Sequence, residues 1–214
     1  MKLIFLSNQS DPETDPASGA LASLLETGKS PTVTYVPSQA DTDRRYHSLA
    51  KAYYQGIGME RVDHFDLDAR YDETGIGALM ESGAIHLSGG STYHFLRNMQ
   101  RRNFFSVLRR YVAEGGILIG VSAGAILMTP DITSSTLCGD PVIEGLATEG
   151  LGLVDWEFVP HVDSIPGIEG KLIGRSKISP RRILACGDGG GILIANGEIR
   201  RVGEIREYQS GARC

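Results

Sequence analysis

Short apolar runs alternate with amphipathic stretches along the first 120 or so residues. Residues 2–7 are almost wholly apolar and read as a buried strand. The polar segment 8–18, with two prolines, follows as a loop, and 21–25 as a short helix. Residues 32–36 alternate around β-branched side chains, which marks a second strand, and Pro37 closes it. Tyr46, Leu49, Ala50, Tyr53 and Tyr54 recur at helical spacing. A helix is therefore expected from a cap at Asp41 or Asp43 to about Gln55, stopped by Gly56-Ile57-Gly58. Residues 62–67 read as a third strand, 74–80 as a short helix and 84–87 as a fourth strand opening into Ser88-Gly89-Gly90-Ser91-Thr92. Two helical pieces, 93–100 and 104–113, precede a fifth strand at 117–121. Strand and helix in alternation predict a mostly parallel sheet covered by helices on both faces.

The pattern changes after that strand. Residues 131–149 are polar and loop-rich, and Phe158-Val159 lead into Pro160-His161-Val162-Asp163-Ser164. A weak helix at 168–177, a strand at 183–186 and a glycine turn at 187–191 follow. Residues 192–195 and 199–202 form a hairpin about Asn196-Gly197, and 205–208 is a last strand. No repeat, low-complexity tract or linker breaks the chain, so residues 1–214 are read as one domain.

Composition narrows the function classes. The chain is 41% hydrophobic with 27 glycines, many of them just after apolar runs, as α/β proteins often show. A net charge of -5 argues against a general nucleic-acid binder. No apolar run approaches the ~20 residues of a membrane span, so no membrane partner is expected. The apolar run at the N-terminus is too short for a signal-peptide core. Cys138, Cys186 and Cys214 show no metal-ligand spacing, so no metal is predicted, and an odd count of dispersed thiols suits a reducing compartment. The cytoplasm is the expected location.

The chemistry centres on Ile117–Ala125, where an apolar strand runs into Gly120-Val121-Ser122-Ala123-Gly124-Ala125. This is the nucleophile-elbow pattern: strand, sharp turn presenting a serine hydroxyl, helix. The alternative is a buried strand with a glycine turn and Ser122 as a helix cap. A serine nucleophile needs a base within hydrogen-bond reach. His47, His64, His86 and His94 fall in predicted strands and helices, where core or surface roles suffice. His161 alone follows the elbow, at the carboxyl end of an apolar strand, where sites gather in open α/β sheets. Asp140, Asp163 and Asp188 are the candidates for an orienting carboxylate, and chain order does not choose among them. The N–H groups of Gly90 and Ala123 are the natural oxyanion pair. Gly89-Gly90 is not a phosphate loop, so no nucleotide cofactor is expected.

Four segments resemble the peptidase E (aspartyl dipeptidase) and cyanophycinase family of serine peptidases. They are Leu87-Ser88-Gly89-Gly90-Ser91-Thr92, Gly120-Val121-Ser122-Ala123-Gly124-Ala125, Phe158-Val159-Pro160-His161-Val162-Asp163-Ser164 and Ala185-Cys186-Gly187-Asp188-Gly189-Gly190. The resemblance implies a three-layer α/β/α sandwich like class I glutamine amidotransferases, with a C-terminal hairpin. It implies Ser122 as nucleophile and His161 as general base, and leaves Asp188 and Asp140 both open as the acid. Where the family usually reads Gly-Gly-Asn-Thr this chain has Ser91, and near the family's Gly-Glu-x-Arg stretch it has Lys171, with Arg175 one turn on. Ser91, Lys171 and Arg175 are accordingly the expected substrate contacts. The implied activity is dipeptidase-like cleavage of small peptides without a cofactor, with acidic N-terminal residues as the family preference. A homodimer is compatible with it. The rival is an amide-hydrolysing or non-catalytic member of the same scaffold that binds a small ligand or partner.

Overall fold

The computed structural model describes all 214 residues. In chain order the elements are β1 (Lys2–Leu6), α1 (Ser18–Leu25), β2 (Thr32–Val36), α2 (Arg45–Gly56), β3 (Arg61–His64) and α3 (Ile76–Met80). Next come β4 (Ala84–Leu87), α4 (Thr92–Arg101), α5 (Phe104–Ala113), β5 (Ile117–Val121) and α6 (Ala123–Leu127). The last part holds β6 (Glu157–Val159), α7 (Ile168–Ile178), β7 (Ile183–Cys186), β8 (Gly191–Ala195), β9 (Glu198–Val202), β10 (Ile205–Gln209) and β11 (Ala212–Arg213).

Seven strands form the main sheet, in the order β3-β2-β4-β5-β1-β8-β9. The first five are parallel, and β8 and β9 are antiparallel additions joined through Asn196-Gly197. Its central strands are buried on both faces, which is why they read as continuous apolar runs rather than alternating ones. Each face has its own core. Leu21, Leu25, Tyr53 and Tyr54 of α1 and α2 pack on one side. Phe95, Leu96, Phe104, Leu108 and Ile126 of α4, α5 and α6 pack on the other. The result is the expected three-layer sandwich.

The segments after α6 depart from the single-sheet expectation. The strands β6 and β7 do not join the main sheet. They pair parallel with each other, and β10 and β11 complete a second sheet of order β11-β10-β7-β6. A small separate core, with Val159, Leu172, Ile183 and Tyr208, lies between this sheet and α7. Its anchor is Glu157, 1% exposed, whose carboxylate takes a bidentate pair from Arg175 and a hydrogen bond from Ser179. No helix of the chain is long and apolar enough to cross a membrane.

Candidate active site

The turn between β5 and α6 is a sharp one. Ser122 has φ 50 and ψ -109, a conformation that costs about 1–3 kcal/mol and persists only where its surroundings impose it. Those surroundings are backbone. The Ser122 N–H donates to the Leu6 carbonyl at 2.9 Å, and the Gly124 N–H to the Ser88 carbonyl at 3.0 Å. A Cβ on Gly124 would collide with the Leu87 carbonyl, and one on Gly120 with the Ala125 backbone. The elbow glycines are therefore demanded by close packing of the turn against β4 and its own helix. The Ala123 N–H, at the first position of α6, has no helical acceptor four residues back.

The small sheet delivers the other two groups. Val159 of β6 is paired with Ala185 of β7, so the chain leaves both strands at the same end. His161 and Asp188 lie just past those ends. His161 Nε2 is 2.9 Å from Ser122 Oγ, and His161 Nδ1 is 2.6 Å from Asp188 Oδ1. A carboxylate on Nδ1 keeps the neutral ring's proton there, so Nε2 accepts from the serine hydroxyl. Serine, histidine and aspartate thus form one continuous hydrogen-bonded chain. It joins β5 of the main sheet to β6 and β7 of the small one.

Two residues to which the sequence reading gave no role, Ser7 at the end of the first predicted strand and Asn8 at the start of the loop, hold this chain in place. Ser7, fully buried at the end of β1, accepts from the His161 N–H at 2.8 Å and donates to Asp188 Oδ1 at 3.1 Å. His161 has φ 60, so its backbone is fixed by this contact and not by regular structure. Asn8 Oδ1 accepts from the Gly189 N–H at 2.6 Å and pins the turn that carries Asp188. Their only signal in the sequence was position. They close the first strand at the edge where the elbow also opens.

The remaining candidates separate. Gly90 sits beside the elbow with φ 123, where only glycine is at ease, and a Cβ there would meet Ser38 Oγ. Gly89 approaches Ser122 closely enough that its own added Cβ would lie 3.5 Å from the serine Cβ. Asp140 is not next to His161: its Oδ2 accepts from the Thr92 N–H at 3.1 Å and caps α4. Asp163 pairs instead with Arg206 at 2.7 Å. Ser91 is the cap of α4, accepting from His94 N–H, and does not line the cavity beside Ser122. Arg175 is taken by Glu157, with Asp131 3.9 Å away, because a buried carboxylate needs a partner more than a solvent-facing substrate does. Lys171 is exposed on α7, and neither it nor Arg175 lines the cavity.

That cavity has a volume of about 830 Å³. It runs from Ser122 and His161 over the ends of β2 and β4 to α2. Nowhere do three His, Cys, Asp or Glu side chains converge as metal ligands.

The model of peptidase family S51 matches residues 3–200. Over 139 residues the chain is 27% identical to peptidase E of Shewanella putrefaciens, a stretch that makes up 61% of this chain and 58% of that relative. The chain thus spans less than two thirds of that relative's length. An uncharacterized peptidase of Listeria monocytogenes is 27% identical over 159 residues, 70% of this chain and 77% of the relative. The solved structure of a peptidase from an acI-B1 Actinobacterium shares the fold with a TM-score of 0.74 at 17% identity, over 100% of this chain and 96% of that one. A crystal structure from Listeria monocytogenes EGD-e gives 0.75 at 22%, over 94% and 96%.

Proposed function

Because the chain belongs to peptidase family S51, we propose that it is a serine peptidase cleaving small peptides through an acyl-enzyme. The observation that carries this reading is the hydrogen-bonded chain Ser122–His161–Asp188, whose serine and histidine line the cavity. In the proposed cycle His161 Nε2 takes the Ser122 proton as the hydroxyl attacks the substrate carbonyl carbon. Asp188 holds the ring and stabilises the imidazolium. The N–H groups of Gly90 and Ala123 are the proposed donors to the oxyanion. His161 then gives its proton to the leaving amine, the C–N bond breaks, and the acyl group stays on Ser122. Water, deprotonated by His161, attacks the ester and releases the acid. The preference for acidic N-terminal residues that the resemblance implies is not carried into this proposal, since no lysine or arginine lines the cavity.

The test is labelling by a serine-directed fluorophosphonate beside hydrolysis of a dipeptide panel. Wild type is expected to take one label at Ser122 and to cleave members of the panel. Ser122→Ala is expected to lose both, with an unchanged thermal melt. A wild-type chain that binds peptides yet takes no label and turns over none would make it a non-catalytic member of the family.

A further inference from the structure

The cavity contains a hydrogen-bond donor that nothing in the chain uses. His86, on β4, lines the cavity and is 2% exposed. Its Nδ1 is 2.8 Å from Tyr54 Oη, and that oxygen also lies 3.1 Å from the Gln9 side-chain nitrogen. The amide nitrogen can only donate, and the hydrogen of the fully buried Tyr54 hydroxyl has no other acceptor in reach, so it goes to Nδ1. Burial alone lowers the ring's pKa to about 3, so the imidazole is neutral and carries its one proton on Nε2. That Nε2–H has no partner within the protein. It also differs from His64 Nε2, which is sealed from solvent without a partner. The small part of His86 that stays accessible opens into the cavity it lines.

The charges around it define what this donor can meet. None of the 23 residues lining the cavity is lysine or arginine, whereas Asp11 and Asp41 are among them. A substrate carboxylate entering here would lose its water, find no cation and face two carboxylates. An ammonium group has nothing to accept with. An uncharged oxygen satisfies the donor without either cost. Resting on the peptidase reading above, we propose that this cavity is a specificity subsite for an uncharged hydrogen-bond-accepting side chain of the substrate, an amide or hydroxyl, that meets His86 Nε2–H, and that it disfavours carboxylates.

The experiment uses isosteric dipeptide pairs, Asn against Asp and Gln against Glu, placed in turn at the first and the second position. Binding to Ser122→Ala is measured by calorimetry, so that no turnover is needed. At one of the two positions the amide member is expected to bind about tenfold more tightly than its carboxylate partner. Adding His86→Phe should weaken binding of the amide member about three- to tenfold, because one hydrogen bond is worth about that factor, while Asp11 and Asp41 keep the carboxylate member the weaker of the two. Should His86→Phe fail to fold, Tyr54→Phe replaces it. That change frees the tautomer without altering the cavity wall and should weaken the amide member in the same direction.

A carboxylate bound as well as or better than its amide at both positions overturns the proposal. So does an amide affinity that a folded His86→Phe, or Tyr54→Phe in its place, leaves unchanged, and so does a panel in which nothing binds. If instead the amide preference holds in binding while wild type takes no fluorophosphonate label, the subsite stands and the peptidase reading falls.

Discussion

At the residue scale, the choice of acid rests on a single short contact. Both Asp140 and Asp188 were open on sequence grounds, because each follows a turn-forming glycine and triads occur in several chain orders. The parallel pairing of Val159 with Ala185 brings the loops of His161 and Asp188 side by side, which supports Asp188 as the proposed acid. Asp188→Asn should therefore lower kcat/KM by roughly 10²–10⁴-fold, since the ring would lose the partner that fixes its tautomer and orientation. Asp140→Asn keeps an oxygen to accept from the Thr92 N–H and should change kcat/KM less than about threefold. Steady-state kinetics of the two variants side by side would expose a wrong assignment as a reversed order of damage. Ser7 belongs to the same level. One hydroxyl ties His161 and Asp188 to β1, and no local pattern announces such a bond between positions more than 150 residues apart.

The elements differ in how far the sequence revealed them. The elbow was legible because its demands are local: small residues on both sides of Ser122, an apolar strand before and a helix after. The five parallel strands were legible because burial on both faces leaves continuous apolar runs. The small sheet was not, because β6 and β7 are short apolar runs and β10 is a mostly polar one, and their partners are set by tertiary packing. The pairing of Arg175 was hidden for the same reason, as it depends on Glu157 being sealed in that second sheet. The elbow also yields a stability contrast between two glycines. Gly124→Ala would put a methyl into the Leu87 carbonyl, where backbone cannot give way, and is expected to cost about 2–3 kcal/mol. Gly174→Ala, on the exposed face of α7 with open space around it, is expected to stabilise by about 0.5–1 kcal/mol. Urea melts of both would show opposite shifts in midpoint, and a neutral Gly124→Ala would mean the turn is not packed as described.

For the whole molecule, buried imidazoles make stability fall in acid. Burial lowers the pKa of His86 to about 3, and burial with the Arg44 charge nearby lowers that of His64 to about 4. In the unfolded chain both return to the ordinary value near 6.5. Below about pH 6.5 the unfolded state thus binds protons that the folded state refuses, and stability falls as pH falls toward 4 and then 3. Above about pH 6.5 the contribution is fully present. Near pH ~4.5 the His86 share alone amounts to about 2–3 kcal/mol. Melting temperatures between about pH 8 and 4.5 should decline for wild type and decline less steeply for His86→Phe. Parallel curves for the two proteins would show that this ring is not the neutral group described.

The division of the site between two sheets also bears on how the protein is made. Ser122 leaves the ribosome well before His161, and Asp188 comes later still. The main sheet itself waits for β8 and β9 to complete its edge. On the proposed mechanism a nascent chain therefore carries its nucleophile unarmed until Asp188 has been synthesised and the second sheet has docked. On that mechanism the order in which its partners emerge keeps Ser122 silent while the stretch from Ser122 to Asp188 is being made.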